Sequence, residues 1–184
     1  MRYLHNTGKY ELIELANGLE WSAPQLSLMP WQAVGSLPSK SSLSRIDKQR
    51  QREEGYGFSA VDRAVKEFKP DVYIGMEDIW AFKDYHVKPW WNKINCMIWT
   101  TLDSLPILPQ AIEYAPKTKN YYVWASFAEK AMNEIGYDHI KTLRGSVEHS
   151  NFVKLPDDKR KNLREYHGLS DEFIIGFVFR NQLR

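Results

Sequence analysis

Charged side chains follow three apolar runs of this 184-residue chain at or near their ends. They are Glu77 with Asp78, Asp103, and Arg180. Open α/β sheets bind their ligands beyond the carboxyl ends of their strands, so these positions are expected to face one cleft. Acids at strand ends also cap helices, and this second interpretation stays open for each residue taken alone.

Other patterns that carry chemistry are absent from the sequence. It contains no glycine-rich phosphate loop of the dinucleotide or P-loop type, no G-x-S-x-G and no H-E-x-x-H. The five histidines lack metal-ligand spacing, and no metal site is expected. Cys96 lies within an apolar run, which favours a buried structural thiol over a nucleophile.

Two further segments have a structural and a functional interpretation. Residues 45–52 carry four basic side chains and are followed by Glu53 and Glu54, which favours a solvated helix face over nucleic-acid contact. The pair Trp90 and Trp91 follows a proline and is expected to pack a loop onto the core, with stacking on a sugar as the alternative.

The composition predicts a globular chain without a general attraction to nucleic acid. It has 25 basic and 23 acidic residues, and 43% of its residues are hydrophobic. No apolar run approaches the roughly 20 residues of a membrane span. We therefore expect a soluble, cytoplasmic protein that does not bind nucleic acid.

Short apolar runs alternate with segments of helical period, and this succession predicts the fold class. The expected strands are residues 10–16, 71–76, 94–100, 120–124, 140–144 and 173–179. The expected helices are 58–68, one that opens with a capping box at Ser126 and closes at Gly136, and 157–167. Residues 17–44 are expected to be a loop with room for one short strand. The pattern is typical of an α/β, Rossmann-like, mostly parallel sheet with helices on both faces.

Four segments add a family pattern to this fold. They read KPDV…EDIW (69–80), WTTLDSLP (99–106), LRGSVE…FVKL (143–155) and REYHGL…FIIGFVFR (164–180). Their order resembles that of retaining, nucleotide-sugar-dependent glycosyltransferases of the two-domain GT-B type. The resemblance covers residues 10–16 and 58–184 and leaves 17–57 unmatched.

The resemblance implies a role for each matched residue. It makes Asp103 the catalytic residue and places an acceptor substrate at Glu77, Asp78, Trp80 and Ser104. It also implies that Arg180 binds the donor diphosphate and that Gly145, Ser146 and Glu148 form the interdomain loop. The donor would be a nucleotide-diphosphate sugar, the acceptor a glycan, lipid or protein, and no cofactor or metal is implied.

The resemblance further predicts the domain organisation. Residues 1–155 would be the N-terminal, acceptor-side domain, without the family's first strand, and residues 156–184 the start of the C-terminal, donor-binding domain. The family's donor-binding lysine and glutamates have no match in this sequence. We therefore expect a fragment of a hexosyltransferase-like enzyme that is inactive by itself.

Other functions fit the same sequence. A non-catalytic α/β binding or assembly module would keep the fold and self-associate through the apolar strand at 173–179. A sugar-nucleotide epimerase would share the architecture. Peripheral membrane contact is a further hypothesis for residues 17–57.

Overall fold

The computed structural model of the chain describes residues 1–146 and 152–176. The chain divides into two compact units, Met1–Gly145 and a second one that begins at Ser146. This division comes earlier than the predicted boundary after residue 155. The assignment of the second unit to a donor-binding domain stays a prediction.

Parallel strands form the framework of the first unit. β1 (Ile13–Glu20) and β2 (Gln32–Leu37) pair in a two-stranded sheet. A four-stranded sheet contains β3 (Val72–Met76), β4 (Asn95–Thr100), β5 (Asn120–Val123) and β6 (Lys141–Thr142), in that order. All pairings are parallel, and helices surround the sheets, which confirms the predicted α/β, Rossmann-like class.

The helices are short and mostly lie between strands. They are α1 (Arg2–Asn6), α2 (Lys40–Leu43), α3 (Lys48–Gly55), α4 (Ala60–Phe68), α5 (Pro109–Tyr114), α6 (Ser126–Glu134) and, in the second unit, α7 (Asp157–Tyr166). Three-ten helices cover Pro24–Leu28, Ile79–Phe82, Tyr85–Val87 and Ala115–Lys117. Helix α4 confirms the predicted stripe at 58–68: it buries Val61 and ends before Lys69, whose φ is 48°.

The core lies on one face of the four-stranded sheet. Successive side chains of a strand point to opposite faces, and here the buried set includes Cys96 and Ile98 of β4 and Tyr121 and Val123 of β5. These residues form one cluster with buried residues of α4, α5, α6 and the three-ten helices that follow β3. Burial raises the pKa of the Cys96 thiol, as expected of a structural cysteine.

The opposite side of β3 is open. Val72, Ile74 and Met76 are 52%, 51% and 52% exposed, whereas Gly75 between them is buried. The apolar run at 71–76 predicts a buried strand, and that prediction is wrong for these alternate positions. The apolar run determined the strand, but it could not show that helices cover mainly the other face.

Other local predictions need correction. The first strand is β1 rather than residues 10–16. The predicted loop 17–44 contains β2, the one short strand it was expected to have room for, but also a three-ten helix and α2. The capping box at Ser126 does not form: α6 has Ala125 as its N-cap without a side-chain hydrogen bond. Glu129 instead accepts a 2.7 Å hydrogen bond from the Thr142 N–H, so its carboxylate fixes β6.

The second unit contains α7 in its described part. This helix confirms the predicted polar helix at 157–167, and Gly168 follows it with a φ of 65°. Residues 173–176 are described and are not in a strand, while the rest of the predicted strand 173–179 lies outside the described residues. In the described parts of both units, no helix has the length and apolar character needed to cross a membrane.

Candidate functional site

Two of the predicted site residues, Glu77 and Asp78, lie directly beyond β3. Glu77 Oε1 accepts a 2.7 Å hydrogen bond from Asn17 Nδ2 of β1. Asp78 Oδ1 accepts a hydrogen bond from the hydroxyl of Thr101, the residue that follows β4. Both acids are partly buried, so each carboxylate is oriented by a neighbouring strand and still reaches solvent.

The segment after these acids is held in place by contacts with core residues. The chain continues as the three-ten helix Ile79–Phe82, and Phe82 packs over Gly75, where an added Cβ would lie 2.6 Å from the Phe82 ring. The buried Tyr114 hydroxyl donates to the Phe82 carbonyl and accepts a 3.0 Å hydrogen bond from the Tyr85 N–H. Burial raises the pKa of the Tyr114 phenol, so it stays a neutral donor here.

Trp80 extends from this segment towards α3. Its ring meets Tyr56 edge to face with centroids 5.0 Å apart, and the Arg52 guanidinium lies 4.7 Å from its centroid. Trp80, Tyr56 and Arg52 line a cavity of about 600 Å³ between α3 and the segment after β3. Trp80 therefore lines a cavity, whereas the acids at 77 and 78 are not among its lining residues.

Asp103 and Ser104 lie in the loop after β4, and both are exposed. Leu102, which is 3% exposed, anchors this loop in the core. The structure shows no hydrogen bond from Asp103 or Ser104 to the acids beyond β3. The two predicted groups therefore follow neighbouring strands without a hydrogen bond between them.

An aromatic pair that the sequence analysis did not select lies at the ends of β4 and β5. The indoles of Trp99 and Trp124 stack with centroids 5.1 Å apart at 27°. Trp99 Nε1 donates a 2.6 Å hydrogen bond to the Leu143 carbonyl beyond β6. Gly145, one of the predicted loop residues, packs against this pair: an added Cβ would lie 3.1 Å from the Trp124 ring. Trp124 is 40% exposed, so part of its ring can meet a ligand.

The remaining predicted residues are placed separately. Ser146 is exposed and begins the second unit. Glu148 and Arg180 lie outside the described residues. Among the residues that the structure describes, no group of three or more His, Cys, Asp or Glu side chains could hold a metal ion.

The residues at the carboxyl ends of the strands include hydrogen-bond acceptors and an exposed aromatic ring. Ionised carboxylates accept hydrogen bonds from hydroxyl groups, and indole faces pack against apolar ring surfaces. The residues that contact the predicted site residues or lie beside them at the strand ends, and that were not predicted as site residues, are Asn17, Thr101, Trp99, Trp124 and Arg52. Trp99 and Thr101 lie in the quoted segment WTTLDSLP, and Arg52 lies in the basic run 45–52. Asn17 had no local signal, because long-range packing brings it to Glu77.

Comparisons with family models, with curated proteins and with solved structures gave no match for this chain. The resemblance to glycosyltransferases therefore rests on the four sequence segments alone.

Proposed function

We propose that this chain is the acceptor side of a retaining glycosyltransferase that uses a nucleotide-diphosphate sugar. The observation that carries the proposal is the pair of carboxylates, Glu77 and Asp78, held by Asn17 and Thr101 beyond the end of β3. Parallel α/β sheets bind ligands at this edge. The exposed indole of Trp124 beyond β5 supports the same substrate class.

The roles of the individual residues follow from the proposal. Asp103 would orient the reacting hydroxyl of the acceptor, while Glu77, Asp78, Trp80 and Ser104 would bind the rest of it. Transfer forms a bond from the acceptor oxygen to the anomeric carbon and breaks the bond from that carbon to the diphosphate. The diphosphate leaves with the electron pair and takes up the proton of the acceptor hydroxyl. Arg180 would stabilise the charge that develops on it.

The first test is to sequence the source DNA across both ends of the reading frame and to express the product of the whole frame. Sugar transfer from nucleotide-diphosphate sugars to a glycan mixture is then measured by mass spectrometry. We expect Asp103→Asn to lower transfer about a hundredfold, because the reacting hydroxyl loses its orientation. Asp138→Asn, at another exposed aspartate, is the matched control and should leave transfer unchanged.

Two outcomes would contradict the proposal. One is the absence of transfer by the product of the whole frame, and the other is full activity of Asp103→Asn. The chain of 184 residues by itself is expected to bind glycans without transferring sugar. Donor epimerisation without transfer would favour the epimerase alternative.

A non-catalytic assembly module is the second candidate, and the open side of β3 favours it. Val72, Ile74 and Met76 are each about half exposed on a parallel strand, where both faces are normally covered. Size-exclusion chromatography with light scattering separates the two candidates: a monomer at all concentrations would count against assembly.

A further inference from the structure

The cavity between α3 and the segment after β3 has more positively than negatively charged lining residues. It is lined by Lys48, Arg52, Glu53, Tyr56, Trp80 and Lys83, among others. By contrast, another cavity of about 450 Å³ beside Trp21 has Glu67 as its one charged lining residue. The cavity at α3 therefore combines several cations with aromatic walls.

Helical spacing brings the cations of α3 to the cavity. Lys48 and Arg52 are four residues apart and lie one above the other on the same face of the helix, and Tyr56 follows as its C-cap. The N-cap Asp47 begins this helix by accepting a hydrogen bond from the Arg50 N–H at 2.9 Å. The positive side chains of Lys48 and Arg52 therefore lie one turn apart on a helix rather than on a loop.

The single acidic residue that lines the cavity, Glu53, already forms ion pairs with other basic residues. Glu53 Oε1 lies 2.9 Å from Lys83 Nζ, and its Oε2 lies 3.2 Å from Arg50 Nη1. The hydrogen bond from Lys83 lowers the pKa of Glu53, so the carboxylate stays ionised and engaged. In the described part of the chain, neither Lys48 nor Arg52 forms an ion pair with an acid. Two positive charges therefore remain available.

We propose that this cavity binds the phosphate ester of a small molecule that contains a ring. A phosphate monoester carries a charge of about −1.5 to −2 at pH 7, which matches two uncompensated cations better than a single carboxylate does. The Arg52 guanidinium presents a planar fork suited to phosphate oxygens, and Lys48 adds a point charge. Tyr56 and Trp80 form the apolar wall for the ring. Sugar phosphates and nucleotides both have this chemistry.

The test uses the purified chain and does not depend on sugar transfer. Binding is measured by calorimetry, and the indole N–H resonances of the tryptophans are followed by NMR. The probes are glucose 1-phosphate and uridine monophosphate, compared with glucose, uridine and inorganic phosphate. We expect one of the two esters to bind at millimolar concentration or below, to shift the Trp80 resonance and to weaken as salt is added.

Variants identify the residues involved. Arg52→Gln is expected to weaken binding of the preferred ester about tenfold or more, because a charge-assisted hydrogen bond is lost, and Lys48→Gln to weaken it further. Lys66→Gln removes an exposed charge from α4, outside this cavity, and should leave binding unchanged. Circular dichroism of each variant verifies that the fold is retained.

Three results would overturn the inference: no phosphate ester binds at millimolar concentration, Arg52→Gln binds as the wild type does, or Lys66→Gln weakens binding equally. Binding of inorganic phosphate as tight as that of both esters would overturn the aromatic part of the site. The inference shares Trp80 with the acceptor site of the proposed function, but Arg52 and Lys48 belong to this cavity alone. Ester binding without transfer and transfer without ester binding are therefore separate outcomes.

Discussion

Asn17 Nδ2 donates a 2.7 Å hydrogen bond to Glu77 Oε1 and so joins the two parallel sheets of the first unit. Asn17 lies within β1, at the point where the register with β2 shifts between Ala16 and Glu20. Asp78 is fixed in a comparable way by Thr101, within the four-stranded sheet. The two adjacent acids are therefore each oriented by a different partner, one from each sheet region.

The first prediction concerns this link between the sheets. In a double-mutant cycle of Asn17→Ala and Glu77→Ala, we expect a coupling free energy of about 0.5–1 kcal/mol, since the hydrogen bond is partly exposed to solvent. The measurement is urea unfolding of the wild type, both single variants and the double variant. Additive effects, with a coupling near zero, would show that the two side chains do not interact in solution.

The second prediction tests the close approach of β1 and β2. A Cβ on Gly35 would lie 2.1 Å from the Glu20 carbonyl oxygen, so the backbone of β1 would have to move. We expect Gly35→Ala to lower the free energy of unfolding by about 3 kcal/mol or more. Gly55→Ala is the control: the added Cβ meets only Leu37, at 4.0 Å, and a helical glycine-to-alanine change should be neutral or stabilising. Equal effects of the two substitutions would contradict the packing of β1 on β2.

Local sequence signals predicted the elements that carry most of the first unit. The apolar runs predicted β3, β4 and β5 to within about one residue, and the apolar stripe at helical spacing predicted α4. These predictions succeeded because the spacing of apolar residues within each segment determines its secondary structure. They also placed Glu77, Asp78 and Asp103 correctly beyond strand ends. The parallel order of these strands follows from their short helical connections.

What the sequence did not predict depends on partners distant in the chain. The sequence pattern paired Glu129 with Ser126 in a capping box, but the Glu129 carboxylate accepts a hydrogen bond from the N–H of Thr142 instead. Thr142 lies outside the helix of Glu129, so no local pattern could indicate this contact. A short strand was allowed for in residues 17–44, but its place as β2 beside β1 depends on pairing between the two strands. The cavity at α3 was not predicted for the same reason. The sequence indicates a solvated Arg52, and its contact with Trp80 arises only from the tertiary fold.

The third prediction compares the two faces of the four-stranded sheet. Ile98 of β4 is fully buried, whereas Ile74 of β3 is 51% exposed. We expect Ile98→Ala to lower the free energy of unfolding by about 2–5 kcal/mol, and Ile74→Ala by about 1 kcal/mol or less. Both are measured by urea unfolding at low protein concentration. A cost for Ile74→Ala as large as that for Ile98→Ala would show that this side of β3 is covered in solution, and a dependence on protein concentration would assign the cover to a second copy.

The fourth prediction concerns His86, whose side chain is only 3% exposed. Its Nε2 lies 3.1 Å from the Glu113 carboxylate, and its ring meets that of Tyr114 edge to face. Burial lowers the pKa of His86, and Lys117 adds to this effect, against the smaller opposite contributions of Glu113 and Asp84. The folded protein therefore binds a proton at His86 less tightly than the unfolded chain, in which the pKa of histidine is about 6.5.

The sign of the pH dependence follows from this lowered pKa. The contribution of His86 to the free energy of unfolding is complete above about pH 6.5 and decreases as the pH falls below it. We expect the wild type to be more stable than His86→Gln at neutral pH, and this difference to shrink on acidification. Thermal unfolding of both proteins over a pH series measures it, because carboxylates that titrate in both cancel in the difference. A difference that grows on acidification would mean that Glu113 outweighs burial and that His86 is charged in the folded protein.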